Sequence, residues 1–205
     1  MITPSAPVPV RVSTTADLDA IVATMTSAFF DDPMWGPAFP DAGRRAAQAS
    51  ALWRLFVGSG QRYPWTLVTA NVESAALWIP PGGIELTAEE ESGFEDFLVD
   101  TAGRAAADNI LEILHRLEEA HPAEPHYYLS LLATHGDHRG RGLGMGLLAE
   151  NLARIDALGA PAYLESCNPA NNKRYAGVGF VARDEVVLAT GHVVTTMWRP
   201  AAQRS

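Results

Sequence analysis

The chain reads as an α/β or α+β protein built on one mixed sheet with helices on both faces, and three features predict it. His126 to Thr134, HYYLSLLAT, is an aromatic and aliphatic run behind a proline-bearing loop, the composition of a buried strand. A glycine-rich turn and a helix through Leu158 follow it. Beyond them the chain alternates again: a strand from Ala162 to Cys167, a short helix around Tyr175, and two strands ending near Trp198.

The first half supplies one strand, several helices and a hairpin. Val8 to Val12 reads as a strand, and Thr14 with Asp17 three positions on makes a helix-capping pair. Leu18, Ile21, Val22, Met25 and Phe29 then recur at helical spacing. Asp31 to Asp41 carries three prolines and a glycine, which predicts a loop, yet holds Trp35 and Phe39. Those rings either plug the core, the simpler reading, or wall a substrate pocket. Ala42 to Val57 is helical, with Leu52, Leu55 and Phe56 on one side. Trp65 to Ala70 and Ala75 to Ile79, joined by Asn-Val-Glu-Ser, predict a hairpin that Pro80 to Gly83 ends. Thr87 to Glu119 is helical, broken at Gly93 and Gly103, with Ile110, Leu114 and Leu117 on its apolar face and a solvated acidic side.

Composition narrows the function. At 205 residues, 47% hydrophobic and 19% charged, the chain fits one globular domain spanning 1–205. A net charge of -9 leaves no surplus of Lys and Arg for a nucleic-acid backbone and suits a cationic substrate better. The single cysteine, Cys167, excludes an internal disulfide or a cysteine-rich metal site and reads as a small buried filler. His135 and His138 lack carboxylate or cysteine partners at ligand spacing, so no metal is expected. The N-terminal MITPSAPVPV is broken by prolines and no apolar run is long enough to span a bilayer; a cytoplasmic protein without a membrane partner is expected.

The segment HGDHRGRGLGMGLL carries the sharpest chemistry. Its glycines let backbone amides converge at a helix N-terminus, where unpaired N–H groups attract phosphate. The dinucleotide pattern GxGxxG fails because Met145 or Leu147 stands where the third glycine belongs, and the P-loop pattern lacks its Lys-Ser or Lys-Thr. What remains is R-x-x-G-x-G at Arg139, Gly142 and Gly144. Close helix packing also uses glycines, but Arg139 and Arg141 interleaved with them suit a polyanion.

LATHGDHRGRGLGMGLL, Leu132 to Leu148, resembles the acetyl-CoA signature of the GCN5-related N-acetyltransferase (GNAT) family, and NPANNKRYAGVGF, Asn168 to Phe180, resembles that family's next motif. Within the family, AALWIPPG at Ala75 and the two strand segments are similar to the antibiotic-modifying branch of puromycin N-acetyltransferase and its actinobacterial relatives. His135-Gly136, where an acid and a proline are common, departs from the pattern.

The resemblance implies a mostly antiparallel, splayed sheet, with 1–120 as the substrate-side half and 121–205 as the half that binds acetyl-CoA. It implies that Arg139, Gly140, Arg141, Gly142, Leu143 and Gly144 grip the phosphates. Backbone groups of Leu132, Ala133 and Thr134 take the acyl and pantetheine contacts, and Asn168 and Asn171 hold the pantetheine arm. Tyr175 falls on the general-acid position, although a phenol near 10 protonating a thiolate near 8.5 is uphill by roughly 2 kcal/mol unless the site lowers the phenol. For the base, Glu165 ranks first, ahead of Asp31, Asp32, His126 and His135. The implied reaction is acetyl transfer to a primary amine of a small molecule, such as an antibiotic or amino-nucleoside, by a monomer or homodimer. Peptide N-terminal or lysine acetylation and a non-catalytic acyl-CoA sensor are the alternatives.

Overall fold

A computed structural model describes residues 9–202. Its strands are β1 (Val10–Val12), β2 (Leu67–Thr69), β3 (Ser74–Ile79), β4 (Tyr127–Thr134), β5 (Ala162–Ser166), β6 (Val181–Val187) and β7 (Val193–Arg199). They form one seven-stranded sheet in the order β1-β2-β3-β4-β5-β7-β6. Only β4 and β5 run parallel. The helices are α1 (Leu18–Phe29), α2 (Trp35–Ala38), α3 (Arg45–Gly60), α4 (Ala88–Ser92), α5 (Phe94–Ala102), α6 (Arg104–Ala120), α7 (Leu143–Ala157) and α8 (Asn172–Ala176). The long α7 makes the crossover that the one parallel pair requires. Among the described residues no helix is long and apolar enough to cross a membrane.

The expected elements are present with shifted ends. The first strand begins at Val10, and Val8 lies outside the described residues. The Asp17 carboxylate accepts from the Thr14 amide at 2.8 Å and its hydroxyl at 2.9 Å, and Arg11 grips the same carboxylate with two bonds of 2.7 Å. Those bonds, the Arg11 pair foremost, hold the Asp17 carboxyl well below the usual range. Gly93 and Gly103 do separate α4, α5 and α6, with Gly103 at φ +85°. The loop expected over Asp31 to Asp41 is corrected: it contains α2, which starts where the Asp32 carboxylate accepts from the Met34 and Trp35 amides. Prolines around a single turn do not forbid it, because a proline in the first turn of a helix gives up no needed hydrogen bond. The following helix spans Arg45–Gly60 instead of starting at Ala42.

Packing on the two faces of the sheet explains the alternation in β3 and exposes a break in β4. Ala75, Leu77, Leu131 and Ala133 join the core under α1, α3 and α6, whereas Ala76, Trp78, Tyr127 and Leu129 pack with Leu147, Leu148 and Ile155 of α7. All four β4 residues named are odd-numbered, yet they divide between two faces. The register supplies the cause: Leu77 pairs with Leu131 and Trp78 with Leu129, so Ser130 is an extra residue in β4. A bulge there turns the strand over, since a one-residue slip exchanges its faces.

The C-terminal strand is pinned by Arg199, whose Nη1 and Nη2 donate to the two Asp156 oxygens at 2.5 and 2.8 Å while Nε donates to the Val178 carbonyl. The arginine's hydrogen bonds hold the Asp156 carboxyl below its ordinary value. Discounted for partial exposure, Arg199→Met should cost about 1–2 kcal/mol in urea denaturation at neutral pH. A depressed carboxyl contributes stability above its unfolded value and loses it as pH falls through the folded one, so wild type and variant should converge below about pH 4.

Candidate active site

The parallel pairing of β4 with β5 is short. It runs Tyr127↔Ala162, Tyr128↔Tyr163 and Leu129↔Leu164 and then stops. Beyond that point β4 follows β3 as far as Thr134, and β5 follows β7 as far as Ser166. The strands therefore diverge, leaving backbone groups of Ser130 to Thr134 without a β5 partner and opening a gap through the sheet. Unpaired backbone polar groups in an interior are costly unless water or a ligand meets them, so the divergence marks a binding position.

On one side of the gap lies a cleft floored by Leu132, Ala133 and Thr134 and walled by the turn into α7. Gly142 caps that helix at φ +77°, and the first bond inside it is Gly146 N to Gly142 O at 2.9 Å. The amides of Leu143, Gly144 and Met145 precede that bond and carry the partial positive charge of a helix N-terminus. A Cβ on Gly144 would lie 2.9 Å from Thr134 Oγ1, so only glycine lets helix and strand approach this closely. Arg139 and Gly140 line the same cleft, as do Asn168, Asn171 and Tyr175. Arg139 also ties the turn to the end of α1, its Nη2 donating to the Ala28 carbonyl at 2.6 Å. Arg141 does not line the cleft; its guanidinium meets His138 Nδ1 at 3.2 Å.

On the other side lies a partly open chamber of about 90 Å³. Phe29, Trp35, Trp53 and Phe56 form one wall. Trp35 meets Trp53 edge-on with ring centroids 4.9 Å apart, and Phe29 meets it at 5.1 Å. Trp35 is thus both core and pocket wall, whereas Phe39 belongs to the core alone. Asp32, Asn168, Asn171 and Tyr175 line both the cleft and the chamber, which makes the two spaces continuous. Cys167 packs partly buried against the core, as its apolar neighbours suggested, and lines the chamber as well. Burial, then the charges of Asp32 and Glu165, pushes its thiol well up, away from a nucleophilic thiolate.

Three carboxylates line the chamber, Asp32 at the start of α2 and two glutamates. Glu165, on β5, has a side chain only 4% exposed, and its Oε1 is buried without a hydrogen-bond partner. Glu85, between β3 and α4, accepts a short hydrogen bond from Ser130 Oγ, the residue that the bulge re-aims. Burial, reinforced by the charges of Glu165 and Glu118, raises the Glu85 carboxyl to about 7 despite the Ser130 bond and His121. Beside Glu165, His121 Nδ1 stands 3.7 Å from Oε1, and His121 Nε2 meets His126 Nε2 at 3.1 Å. Burial lowers His121, but the hydrogen-bonding and charge of Glu165 with the charges of Glu118 and Glu85 more than offset it, and the net shift is upward. Tyr128 in the chamber is raised far above an ordinary phenol by burial and then by the charges of Glu165 and Glu85.

The sequence candidates separate accordingly. Glu165 and Tyr175 share one chamber with the divergence of the strands. Tyr175 makes an edge contact with Phe180 at 6.2 Å, and burial, with Asp32 close by, raises its hydroxyl instead of lowering it. Its uphill proton transfer is therefore steeper than the sequence reading allowed. Asp32 caps α2, Asp31 lies in the cleft, and His135 caps the turn after β4, its Nδ1 accepting from the Asp137 amide. His126 reaches Glu165 only through His121. Glu85 and His121 escaped the sequence reading: each lies in a proline- or glycine-bearing loop with no motif around it, and a solitary charge between Ile84 and Leu86 was the one available signal.

No family model matches the chain. Among solved structures it is similar to a protein from Corynebacterium glutamicum described as histone acetyltransferase HPA2 and related acetyltransferase, at 26% identity and TM-score 0.72 over 98% of this chain and 99% of that one. It is also similar to an arylalkylamine N-acetyltransferase 2 from Aedes aegypti, at 12% identity and TM-score 0.67, covering 95% and 99% of the two chains. An agmatine N-acetyltransferase matches at 14% identity and TM-score 0.66, covering 95% and 100%. The seven-stranded, splayed sheet flanked by helices is the GNAT-type acyl-CoA N-acyltransferase fold.

The raised Glu85 carboxyl gives the free protein a definite pH dependence. A buried acid whose folded value lies above its unfolded one binds its proton more tightly in the native state, so its stabilising contribution is complete below about pH 4 and is lost as pH rises toward 7. Thermal melts should fall across that window, and Glu85→Gln, which keeps the Ser130 contact without the charge, should flatten the decline and raise the melting temperature above pH 7.

Proposed function

We propose that this chain, an acetyl-CoA-dependent N-acetyltransferase, acylates a primary amine of a small molecule. The observation that carries the reading is the aromatic chamber of about 90 Å³ lined by Asp32, Glu85 and Glu165, continuous with the cleft through the gap between β4 and β5. An ammonium group matches buried carboxylates, and a chamber of that volume admits a small amine more readily than a peptide chain.

The residues of the cleft fit acetyl-CoA. The amides of Leu143, Gly144 and Met145 at the N-terminus of α7 suit its pyrophosphate, with Arg139 at the rim. Asn168 and Asn171 offer amide donors and acceptors to the peptide-like bonds of the pantetheine arm. When bound, acetyl-CoA supplies an activated acyl carbon at the gap. Backbone groups of Leu132, Ala133 and Thr134 then stabilise developing negative charge there, at no cost in reorganisation because the strands already diverge.

Glu165 takes the proton of the acceptor's ammonium through its unpartnered oxygen. Glu85 accepts a second N–H, and the adjacent positive charge favours its ionised form, its proton leaving to water at the mouth that it lines. Tyr175 donates a hydrogen bond to the departing sulfur. Its raised hydroxyl suits that better than complete proton transfer. Amino-nucleoside and aminoglycoside antibiotics are the first acceptors to test.

Release of free thiol from acetyl-CoA should be measured with a panel of amino-nucleosides, aminoglycosides, simple alkylamines and lysine-bearing peptides. Turnover is expected with small amines; coenzyme binding without turnover on any amine, or turnover on peptides alone, overturns the reading. Glu165→Gln should lower kcat roughly 10²- to 10⁴-fold with coenzyme binding intact. Gly144→Ala should instead raise the KM for acetyl-CoA by about tenfold or more, corresponding to at least ~1.4 kcal/mol of lost binding, because the added methyl group forces Thr134 away from the turn.

A further inference from the structure

We infer that His121 carries the acceptor's proton from Glu165 to solvent, and that His126 holds His121 in the tautomer this task requires. The inference rests on the reading of Glu165 as the group that receives the amine proton. It begins from a constraint in that reading: a side chain only 4% exposed offers bulk water little access, so a better exposed neighbour is the readier way out for its proton.

Hydrogen-bond logic starts at the far end of the cluster. His126 Nδ1 lies 2.6 Å from the Glu124 carbonyl oxygen, and a carbonyl only accepts, so Nδ1 carries a hydrogen. Burial lowers the basicity of His126, so the ring is neutral and its Nε2 is a bare lone pair. That nitrogen is 3.1 Å from His121 Nε2, which must therefore be the donor. A neutral His121 that carries its hydrogen on Nε2 has a bare Nδ1, and this atom faces Glu165 Oε1 at 3.7 Å. The same Oε1 has no other hydrogen-bond partner. The separation is within ion-pair range and longer than a hydrogen bond, so a small rotation of either side chain completes the contact.

The proton balance follows. The ammonium N–H bond breaks as a Glu165 O–H bond forms. That O–H bond then breaks as a His121 Nδ1–H bond forms, leaving an imidazolium beside a carboxylate. His121, 27% exposed at the mouth that Glu118, Pro122 and Glu124 share, returns the proton to water and regains its bare Nδ1.

The groups around His121 suit a carrier. Glu165 from β5, Glu118 from α6 and Glu85 from the segment after β3 favour its charged form, and burial opposes it. The rings of Tyr128 on β4 and Tyr163 on β5 stand edge-on at 4.8 and 5.1 Å. Both phenols are pushed upward by burial and by the neighbouring Glu165, so they stay neutral and give up no proton to it.

The test combines a readout that needs no turnover with one that does. In ¹⁵N spectra of the wild-type imidazoles, neutral His121 should carry its hydrogen on Nε2 and neutral His126 on Nδ1, and Glu165→Gln should lower the pKa of His121. A neutral His121 protonated on Nδ1 overturns the proposal. With an amine that the wild type turns over, His121→Ala should lower kcat roughly 10- to 100-fold with little change in the amine's KM, and added imidazole should restore much of the loss. Glu165→Gln should not respond to imidazole. His126→Phe should move the acid limb of the kcat profile, since it frees the His121 tautomer. Retained thermal stabilisation by coenzyme A shows that each variant is folded. An unchanged kcat and pH profile in His121→Ala overturns the relay while leaving the acetyltransferase intact, and absence of wild-type turnover on any amine overturns the acetyltransferase itself.

Discussion

The short pairing of β4 with β5 is the constraint on which the rest of the structure depends. β4 must follow β3 along its whole length, and β5 must follow β7, so the two can agree on a common direction for only three residue pairs. The extra residue at Ser130 sits at the point of divergence and turns β4 over, sending Tyr127 and Leu129 to one core and Leu131 and Ala133 to the other. From that event come a row of backbone groups free to meet an acyl carbon, a passage through the sheet, and a hydroxyl at Ser130 aimed at Glu85. A regular sheet would have paired these groups and closed the passage.

Charge is divided by the same sheet. The cleft gathers Arg139, Arg174, His138 and a helix N-terminus beside Asp31 and Asp32, whereas the mouth beyond the chamber gathers Glu85, Glu91, Glu118, Glu124 and Glu165 without a Lys or Arg among the described residues lining it. The cations of the site thus lie on the cleft side, and the mouth is acidic. Glu85 and His121 are shifted in the direction expected of groups that exchange protons near neutral pH.

Much of this was legible in the amino-acid order, for reasons that are local. HYYLSLLAT announces a strand because β-branched, aromatic and aliphatic side chains fit a pleated, buried surface. Gly140, Gly142 and Gly144 announce a tight turn because positive φ and close approach exclude a Cβ, and Gly142 at φ +77° with Gly144 against Thr134 has that geometry. Thr14 with Asp17, and the breaks at Gly93 and Gly103, were legible on the same footing, since capping and backbone freedom are properties of a few adjacent residues.

What the tertiary structure alone decided is where distant segments meet. Glu85, His121 and Glu165 come from a loop, another loop and a strand, separated by tens of residues, and no spacing rule connects them. The bulge at Ser130 was invisible because an extra residue is defined only against a partner strand. Trp35 read first as core and only second as pocket wall until packing made it both, and the contact of Arg141 with His138 has no signal in the order of residues. The amino-acid order alone was enough for the sheet-and-helix class and for the glycine turn that opens α7. The pairing of strands decided which side chains share a chamber, and with what neighbours, because burial and charge at a site are sums over residues that only folding brings together.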